Sequence, residues 1–569
     1  MYSNKENINI LTALLIDAGV RHAVVCPGSR NAPIVHNLNE CGRILCHPVT
    51  DERSAGFHAI GISQATAGMP VVVCVTSGSA LLNLAPAVAE AHYQHVPLIV
   101  VSADRPPQWI DQLDGQTLPQ PGALGVFVRR CVSLPEPTDD EQRWYCRRLV
   151  SEALYEARRC VGAPVHINVP ITEPLFVFDT EALPEMRLFQ SARPTFRITN
   201  HEEVLRPLYE ARRPMIVIGQ TPEGFIHKDT LKGLSRHVVV LREALGGEAM
   251  HFDEVIEATA GNTAYMPDHI LYIGGTLVSK RLKRFLRASG ADTSLVSMTG
   301  NGIQDPLMHL TNIVECTDAD CLNALLQKVF HTYENGFSDP SEDIATETKE
   351  SREAFRNLWS RALGHASQHA EDFVPQYSQM AAVRYFEQQL EDMDYTPAVH
   401  YANSTAVRLA NIWSARHVWC NRGVNGIEGS LSVAAGFSTA SDDMVFCVIG
   451  DLSFFYDQNA LWNDSLKGNL RIILLNNHGG GIFRSLKGLK DSGAAERLVY
   501  AGHNVTAQGI CTQNDIGYMA AHDMAELHTG MVTLLTRETE RPMLLEVFTD
   551  AGTDNETIED YFKSFTNFK

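Results

Sequence analysis

Short, uninterrupted apolar runs alternate with segments of helical spacing along most of the chain, and this alternation limits the possible folds. Between residues 22 and 103 the runs are HAVVC, ILCHPV, MPVVVCV and VPLIVVSA, and segments with helical periodicity separate most of them. A strand that is apolar on both sides must be covered on both faces, which is typical of parallel sheets with crossover helices. The pattern predicts an α/β fold of doubly wound parallel sheets.

The same alternation recurs in two further blocks, so we predict three α/β domains. The second block contains PMIVIG, HVVVL, HILYIGG, TSLVSM and NIVEC, and the third contains HVWCN, MVFCVIG, LRIILLNN and PMLLEVF. A Pro-rich stretch near 183–195 and a polar, acidic stretch near 338–353 interrupt the periodicity. Because 569 residues exceed what one core holds, we place the domains at 1–185, 186–350 and 351–569.

The charge balance restricts the partners of the chain. It has 47 basic and 67 acidic residues, a net charge of −20, which disfavours general adhesion to nucleic acid or to an anionic membrane. Glu6 and Asp17 interrupt the N-terminal segment where a secretory signal would be apolar, and no apolar run reaches about 18 residues. The twelve cysteines include no C-x-x-C pair and are interpreted as reduced packing residues. We therefore expect a cytoplasmic protein without a membrane span.

The segment GDLSFFYDQNALWNDSLKGNLRIILLNNHGGGIF, at 450–483, places an acid and an asparagine after consecutive predicted strands. Asp451 follows MVFCVI, YDQNALWNDSLK has helical spacing, and Asn477 follows LRIILL, 26 residues after Asp451. Both positions fall at carboxyl ends of parallel strands, where open α/β sheets bind ligands. A carboxylate, an amide oxygen and a glycine-turn carbonyl suit Mg²⁺ shared with a diphosphate. An ordinary strand exit with an Asx turn is the alternative.

The acid, the spacing and the asparagine resemble the cofactor motif of thiamine diphosphate-dependent enzymes. That motif usually reads Gly-Asp-Gly, whereas here Leu452 and Ser453 follow the acid. Gly-Asp-Leu-Ser is the usual form in the 2-succinyl-5-enolpyruvyl-6-hydroxy-3-cyclohexene-1-carboxylate (SEPHCHC) synthase family of menaquinone biosynthesis, which the chain therefore resembles. The resemblance implies Mg²⁺, with Mn²⁺ as an alternative, on Asp451, Asn477 and Gly479. The implied cofactor-binding residues are Glu52, Ile427, Asp451, Leu452, Ser453, Asn477, Gly479, Ile482 and Phe483.

Two of these residues have specific roles in the family. Glu52, in VTDERSAGFHAIG, is by itself a first-turn helix acid favoured by the helix dipole. The resemblance makes it the glutamate that activates the cofactor by moving a proton at the aminopyrimidine. Ile427, in the Gly-rich segment NRGVNGIEG, is by itself most simply a core residue. The resemblance makes it the apolar wedge that bends the cofactor.

A set of polar and basic residues in four loops and one further segment matches the family's substrate site. They are Ser29, Arg30, Gln116, Lys280, Arg281, Ser404, Arg408 and Arg422. The resemblance implies the decarboxylation of 2-oxoglutarate and addition of the product to isochorismate. In this assignment Arg408 and Arg422 bind the side-chain carboxylate of 2-oxoglutarate, since arginine recognises carboxylates through two hydrogen bonds. Arg30, Lys280 and Arg281 face isochorismate.

Two alternative functions and the oligomeric state follow from the same residues. One alternative is another thiamine diphosphate-dependent 2-oxo acid decarboxylase or lyase, which would turn over pyruvate without isochorismate. The other is a module that binds a Mg²⁺-nucleotide without catalysis, although the chain has no P-loop sequence. The resemblance also implies a homodimer or homotetramer, because family members place Glu52 of one subunit against Asp451 of another.

Overall fold

A computed structural model describes residues 1–189, 191, 198–298, 300, 302–339, 343–484, 486 and 488–565. Its first unit is a six-stranded sheet in the order β2-β1-β3-β4-β6-β5, and all neighbouring strands are parallel. The strands are β1 (His22–Val25), β2 (Leu45–Pro48), β3 (Val71–Val75), β4 (Leu98–Asp104), β5 (Arg130–Ser133) and β6 (Val165–Pro170). The helices are α1 (Glu6–Asp17), α2 (Ala32–Glu40), α3 (Glu52–Ala65), α4 (Ser79–Asn83), α5 (Ala85–Gln94) and α6 (Asp140–Arg158).

The second unit is a five-stranded parallel sheet in the order β11-β10-β9-β7-β8. The strands are β7 (Pro214–Ile218), β8 (Val239–Arg242), β9 (His269–Ile273), β10 (Asp292–Met298) and β11 (Leu310–Cys316). The helices are α7 (His201–Val204), α8 (Arg206–Glu210), α9 (Lys228–Leu234), α10 (Phe252–Ala258), α11 (Lys280–Ser289), α12 (Ala319–Asn335) and α13 (Thr346–Asp372).

The third unit is a five-stranded parallel sheet in the order β12-β13-β14-β16-β15. The strands are β12 (Ala398–Tyr401), β13 (Val445–Gly450), β14 (Leu470–Asn476), β15 (Gly517–Ala521) and β16 (Met543–Phe548). The helices are α14 (Gln379–Glu391), α15 (Thr405–Trp413), α16 (Ser430–Ala440), α17 (Asp451–Tyr456), α18 (Gly481–Arg484), α19 (Gln508–Gln513), α20 (Met524–Thr536) and α21 (Ala551–Ser564). Three parallel-sheet units confirm the predicted fold class.

The continuous apolar runs form strands that are covered on both faces. In β3, Val72 and Cys74 pack into one core, whereas Val71, Val73 and Val75 pack into another on the opposite face of the sheet. Both faces of the sheet therefore exclude water, which explains why this strand shows no alternation of polar and apolar residues. No helix among the described residues is long and apolar enough to cross a membrane.

The first and third units meet where α3 crosses α16. A Cβ atom on Gly61 would lie 2.0 Å from the carbonyl oxygen of Val433, and one on Gly436 would lie 2.0 Å from that of His58. The two helix backbones therefore touch, which only glycine permits at these positions. This contact fixes α3, which begins at Glu52, against the unit that carries Asp451.

Two local predictions are wrong. The segment HVWCN is not a strand, because Trp419 forms only an isolated bridge with His400 of β12. The segment YDQNALWNDSLK is not an α-helix: α17 ends at Tyr456, and a single 3-10 turn at Gln458–Ala460 follows. Asn463 there donates a hydrogen bond to the backbone of Ala460 instead, a local bond that competes with helix formation.

The predicted domain limits at 185 and 350 stay predictions. The polar stretch 338–353 lies partly outside the described residues, and α13 begins within it at Thr346. Phe355 and Trp359 of α13 are buried in a core of the second unit, whereas Ala370 near its end packs into a core of the third. This helix therefore connects the two units through packed side chains.

Candidate functional site

The acid and the glycine loop of the third sheet meet at one edge, as the sequence predicts. Asp451 follows β13 and is only 3% exposed. Its Oδ2 accepts a hydrogen bond of 2.9 Å from the backbone N–H of Gly479, and its Oδ1 accepts one of 2.6 Å from the N–H of Leu452. The two loops at the ends of adjacent strands are therefore joined through this carboxylate.

The side-chain amide of Asn477 is oriented by a partner that the sequence did not reveal. Its Nδ2 donates a hydrogen bond of 2.9 Å to Oδ2 of Asp554, which lies on α21 and is 4% exposed. The nitrogen end of the amide is thereby engaged, and the oxygen end faces away from Asp554. No motif marks Asp554, because its partner lies 77 residues earlier in the chain.

The glycine loop has a backbone conformation that requires glycine. Gly479 has φ +153°, and a Cβ there would lie 2.8 Å from the carbonyl oxygen of Tyr500. Gly480 N–H donates to the same carbonyl at 2.7 Å, and His503 N–H donates to the carbonyl of His478 at 3.1 Å. The segment 500–503 therefore packs directly against the loop that was predicted to hold a diphosphate.

The carboxylate at this edge is buried and lies near two histidine rings. Burial raises the pKa of Asp451, while hydrogen bonds from the Leu452 and Gly479 N–H groups and the proximity of His503 and His478 oppose that rise. Among the described residues, no three His, Cys, Asp or Glu side chains are grouped to hold a metal alone. One carboxylate, one amide oxygen and one carbonyl fit a hard divalent cation that shares its remaining oxygens with a diphosphate.

Ile427 lies beside this edge and presents its side chain outward. Ile427 is 44% exposed, so its apolar side chain is open to a ligand. Its backbone carbonyl accepts a hydrogen bond from the hydroxyl of buried Ser453, two residues after Asp451. Ile482 and Phe483 lie half-buried on α18, directly after the glycine loop. The loop that carries Ile427 is thus hydrogen-bonded to the segment that follows Asp451.

Four of the predicted basic residues form a cationic cluster where the second and third units meet: Lys280, Arg281, Arg408 and Arg422. Arg422 donates to Oδ1 of Asn403 at 3.1 Å and to the carbonyl of Leu277 at 3.5 Å, so it links the two units. Arg281 donates to Oε2 of Glu257 at 2.7 Å. Desolvation and the positive charges of Arg422 and Arg281 lower the pKa of Arg408. Arg408 therefore lies near the positive charges of both Arg422 and Arg281.

Lys280 of this cluster and the nearby predicted residue Ser404 lie at the starts of helices. Lys280 is exposed at the first position of α11, and Ser404, with φ +82°, immediately precedes α15. Within the described part of the chain, neither Lys280 nor Arg408 forms an ion pair. Their charges are therefore available to an anionic ligand.

Two buried glutamates hold the loops that carry these cations. Glu90, on α5 of the first unit, accepts hydrogen bonds from the N–H groups of Gly423 and Val424 at 2.8 and 2.6 Å. Glu243 accepts hydrogen bonds from Val278 N–H and Ser279 N–H, both at 2.6 Å. Each carboxylate binds two consecutive N–H groups next to a cationic segment. Sequence reasoning missed both, because neither lies in a motif.

The predicted residues of the first unit lie at the carboxyl edge of its own sheet. Oε2 of Glu52 accepts a hydrogen bond of 3.1 Å from Asn83. Arg30 is 7% exposed and donates to the carbonyl of Ile171 at 3.1 Å and to Oε1 of Glu173 at 3.2 Å. Its guanidinium is therefore partly engaged within the unit.

The two other predicted residues of this unit are open to solvent. Ser29 precedes Arg30 and is exposed. Gln116 is exposed in a loop where a Cβ on Gly78 would lie 3.1 Å from its backbone. Both polar side chains can therefore reach a ligand at this edge of the sheet.

The structure thus connects the predicted residues of the third unit with the cationic cluster, but not Glu52. In the described part of one chain, Glu52 has no hydrogen bond or ion pair with the third unit. Its neighbours do contact that unit: Arg53 donates to the carbonyl of Tyr456 at 2.9 Å, and Asp51 accepts from Asn459 at 2.6 Å.

Comparison with known proteins agrees with this site. A family model described as thiamine pyrophosphate enzyme, N-terminal TPP binding domain, matches residues 8–122. The chain is 39% identical to the 2-succinyl-5-enolpyruvyl-6-hydroxy-3-cyclohexene-1-carboxylate synthase of Bacteroides thetaiotaomicron over 99% of both chains. It is 40% identical to the synthases of the same name from Bacteroides fragilis and Phocaeicola vulgatus over 100% of each.

The three parallel sheets and the joined loops at Asp451 and Gly479, with these matches, define a thiamine diphosphate-dependent enzyme. Full-length identity of about two residues in five places it more narrowly. The chain belongs to the SEPHCHC synthase family. The predicted family, enzyme class and organic cofactor are therefore confirmed.

Proposed function

We propose that this enzyme decarboxylates 2-oxoglutarate and adds the remaining succinyl unit to isochorismate in a 1,4 fashion, which gives SEPHCHC and CO₂ in menaquinone biosynthesis. The relatives carry the name of this product. The observation that carries the proposal is the continuity of the site: Arg422 lies on the loop of Ile427, whose carbonyl is bonded to Ser453 beside Asp451. The cationic cluster thus adjoins the edge of the third sheet at which the cofactor would bind. As part of this proposal, the enzyme acts in the cytoplasm, as expected from the sequence.

The cofactor is proposed to bind at the edge of the third sheet. Asp451, the amide oxygen of Asn477 and the carbonyl of Gly479 would hold Mg²⁺, with Mn²⁺ as the alternative metal, against the diphosphate. The open side chain of Ile427 would support the bent cofactor, and Leu452, Ser453, Ile482 and Phe483 would line its site. When bound, thiamine diphosphate supplies the carbon nucleophile for both steps.

The residues of the chain then bind, orient and move protons. Glu52 would exchange a proton with the aminopyrimidine. Arg408 and Arg422 would bind the carboxylate of 2-oxoglutarate, with Ser404 at the start of the same helix as Arg408. Because Arg408 and Arg422 carry like charges close together, a bound dicarboxylate would relieve their repulsion.

Isochorismate is proposed to bind between the cationic cluster and the carboxyl edge of the sheet in the first unit. Lys280 and Arg281 would contact its carboxylates, and Ser29 and Gln116 would supply hydrogen bonds. Arg30 would contribute the guanidinium hydrogens that Ile171 and Glu173 leave free. This distribution would place the cations against two anionic substrates although the chain as a whole is acidic.

The active unit is proposed to contain at least two chains, as a homodimer or a homotetramer. The family resemblance places Glu52 of one subunit against Asp451 of another at one cofactor. A second chain related by two-fold symmetry would supply the missing half of each site.

A coupled assay with matched variants tests this function. Purified protein is incubated with thiamine diphosphate, Mg²⁺, 2-oxoglutarate and isochorismate, and the loss of isochorismate is followed. Loss should require every component and nearly vanish in Glu52→Gln and Asp451→Ala. Glu141→Gln and Asp442→Ala are the controls, because both acids are exposed and lie outside the site; they should retain wild-type rates.

The outcomes separate the proposal from its alternative. If isochorismate is untouched while pyruvate is decarboxylated, the enzyme is another thiamine diphosphate-dependent 2-oxo acid decarboxylase or lyase. If the Asp451→Ala variant binds the cofactor and Mg²⁺ as the wild type does, the proposed metal site is wrong.

A further inference from the structure

Asp554 is a buried carboxylate that receives hydrogen bonds from three different parts of the third unit. Its Oδ1 accepts from Gln379 N–H at 2.8 Å, at the start of α14. Its Oδ2 accepts from Asn477 Nδ2 and from the hydroxyl of Thr549, both at 2.9 Å. With an exposure of 4%, it is shielded from water and satisfied entirely by protein donors.

The chemistry of this contact determines which end of the Asn477 amide faces outward. An ionised carboxylate can only accept hydrogen bonds, whereas a side-chain amide has a donor end and an acceptor end. The near side of Asn477 must therefore be its NH₂ group, because a carbonyl oxygen there would face the carboxylate without a proton between them. The amide oxygen is then held on the far side of the planar group.

We propose that Asp554 is a positioning residue that fixes the amide of Asn477 so that its oxygen, and not its nitrogen, is presented to the divalent cation. The inference rests on the metal site of the proposed function. An amide nitrogen has no free electron pair for a metal ion, so a reversed amide removes one ligand. Partners of metal ligands commonly change metal affinity about 10- to 100-fold when they are mutated.

The variant Asp554→Asn tests this orientation with almost no change in shape. Its oxygen would remain on Gln379 N–H, which has no other acceptor, and its new NH₂ group would face the NH₂ group of Asn477. Asn477 is then expected to reverse and to turn its nitrogen toward the cation. Calorimetric titration of thiamine diphosphate at a series of Mg²⁺ concentrations should show an apparent Kd for Mg²⁺ raised about 10- to 100-fold.

Exchanging the two residues should restore the site. In Asp554→Asn with Asn477→Asp, the new NH₂ group donates to the new carboxylate, whose second oxygen is free for the cation. The bonds to Gln379 N–H and between positions 554 and 477 are kept, and the Thr549 hydroxyl can turn to accept from the new NH₂ group. This double variant should therefore fold and bind Mg²⁺ within about threefold of the wild type. Asn477→Asp alone should bind more weakly, because a half-buried carboxylate at 477 then faces the buried carboxylate of Asp554.

Asp550→Asn is the matched control. Asp550 begins the same helix and accepts from Thr553 N–H, a bond that asparagine can also accept at an N-cap. Its Mg²⁺ affinity should stay at the wild-type value. Equal Mg²⁺ affinity in Asp554→Asn and the wild type, or a double variant that binds no better than Asp554→Asn, overturns the inference. If the wild type itself binds the cofactor without Mg²⁺, the metal site of the proposed function fails instead.

Discussion

Ile427 combines an outward apolar side chain with a fixed backbone, and this combination has a measurable consequence. The side chain is 44% exposed and its carbonyl is held by Ser453. In Ile427→Ala, the support for the bent cofactor is removed while the loop stays in place. We expect kcat to fall about 100-fold, the usual effect of misplacing reacting groups. Steady-state kinetics at saturating substrates measure this.

Val424→Ala is the control for that substitution. Val424 lies on the same loop, and its side chain is similarly exposed at 47%. Both variants should unfold within about 0.5 kcal/mol of the wild type, because neither side chain is buried. A kcat for Ile427→Ala equal to that of Val424→Ala would show that the exposed isoleucine does not support the cofactor.

Glu243 should make stability depend on pH. Burial raises its pKa to about 7, although hydrogen bonds from the Val278 and Ser279 N–H groups oppose this. Between pH 4.5 and 7 the unfolded chain therefore releases a proton that the folded chain retains, so folding loses free energy as the pH rises. By about 1.4 kcal/mol per pKa unit, the loss approaches about 3 kcal/mol.

Glu243→Gln removes this titration. Urea unfolding of both proteins at pH 5 and pH 7.5 is the measurement, and the difference between them cancels other titrating groups. As the pH rises, the free energy of unfolding of the variant should increase relative to that of the wild type. A difference that is constant across this range would mean that Glu243 is ionised in the folded protein throughout.

The positions that the sequence could locate are those at strand ends. Asp451 and Asn477 each follow a buried strand, so the parallel sheet alone brings their loops together. Asp554 and Glu90 lie on helices and could not be found in this way, and Glu243 follows β8 but lies in no motif. Asp554 and Glu90 each act on a loop that is distant in sequence, and only the packing of helices against the sheets brings them there.

At the scale of elements, the contact of α3 with α16 determines how the first unit carries Glu52. Gly61→Ala would place a methyl carbon 2.0 Å from the carbonyl oxygen of Val433, which neither helix backbone can avoid without moving. We expect a loss of about 3 kcal/mol in the free energy of unfolding, at the upper end for overpacked cores. Denaturant unfolding measures this loss.

Gly364→Ala is the matched control. Gly364 lies within α13, and nothing lies within 4 Å of the added carbon. This substitution should stabilise the protein by about 0.5 to 1 kcal/mol, because alanine loses less conformational freedom in a helix. Similar effects of the two substitutions would show that the helices do not meet at Gly61.

Sequence patterns located elements better than they fixed their limits. The runs that became β3, β4, β13 and β14 are continuous and apolar, so their burial on both faces was readable. The prediction of a strand at HVWCN was wrong because Val418 and Cys420 are buried in a core, while only Trp419 forms a bridge with a strand. The segment after Tyr456 failed because polar residues there bond to the local backbone, which periodicity does not register.

At the scale of the whole molecule, the proposed assignment of Glu52 and Asp451 to different subunits leads to a test of subunit sharing. Glu52→Gln and Asp451→Ala are each expected to be inactive. In a heterodimer of the two, isolated through two different affinity tags, one site would combine both substitutions and the other would contain neither. If the sites lie between subunits, this heterodimer should recover about half of the wild-type kcat.

The reciprocal heterodimer makes the result decisive. A wild-type chain paired with a chain that carries both Glu52→Gln and Asp451→Ala has one substitution in each shared site, so it should be inactive. If each chain instead formed its own site, the two results would be exchanged: the first heterodimer would be inactive and the second would keep about half of the activity. Because both heterodimers contain the same substitutions in equal number, a general loss of stability would affect them alike. Only the arrangement of Glu52 and Asp451 across the two-fold axis can distinguish them.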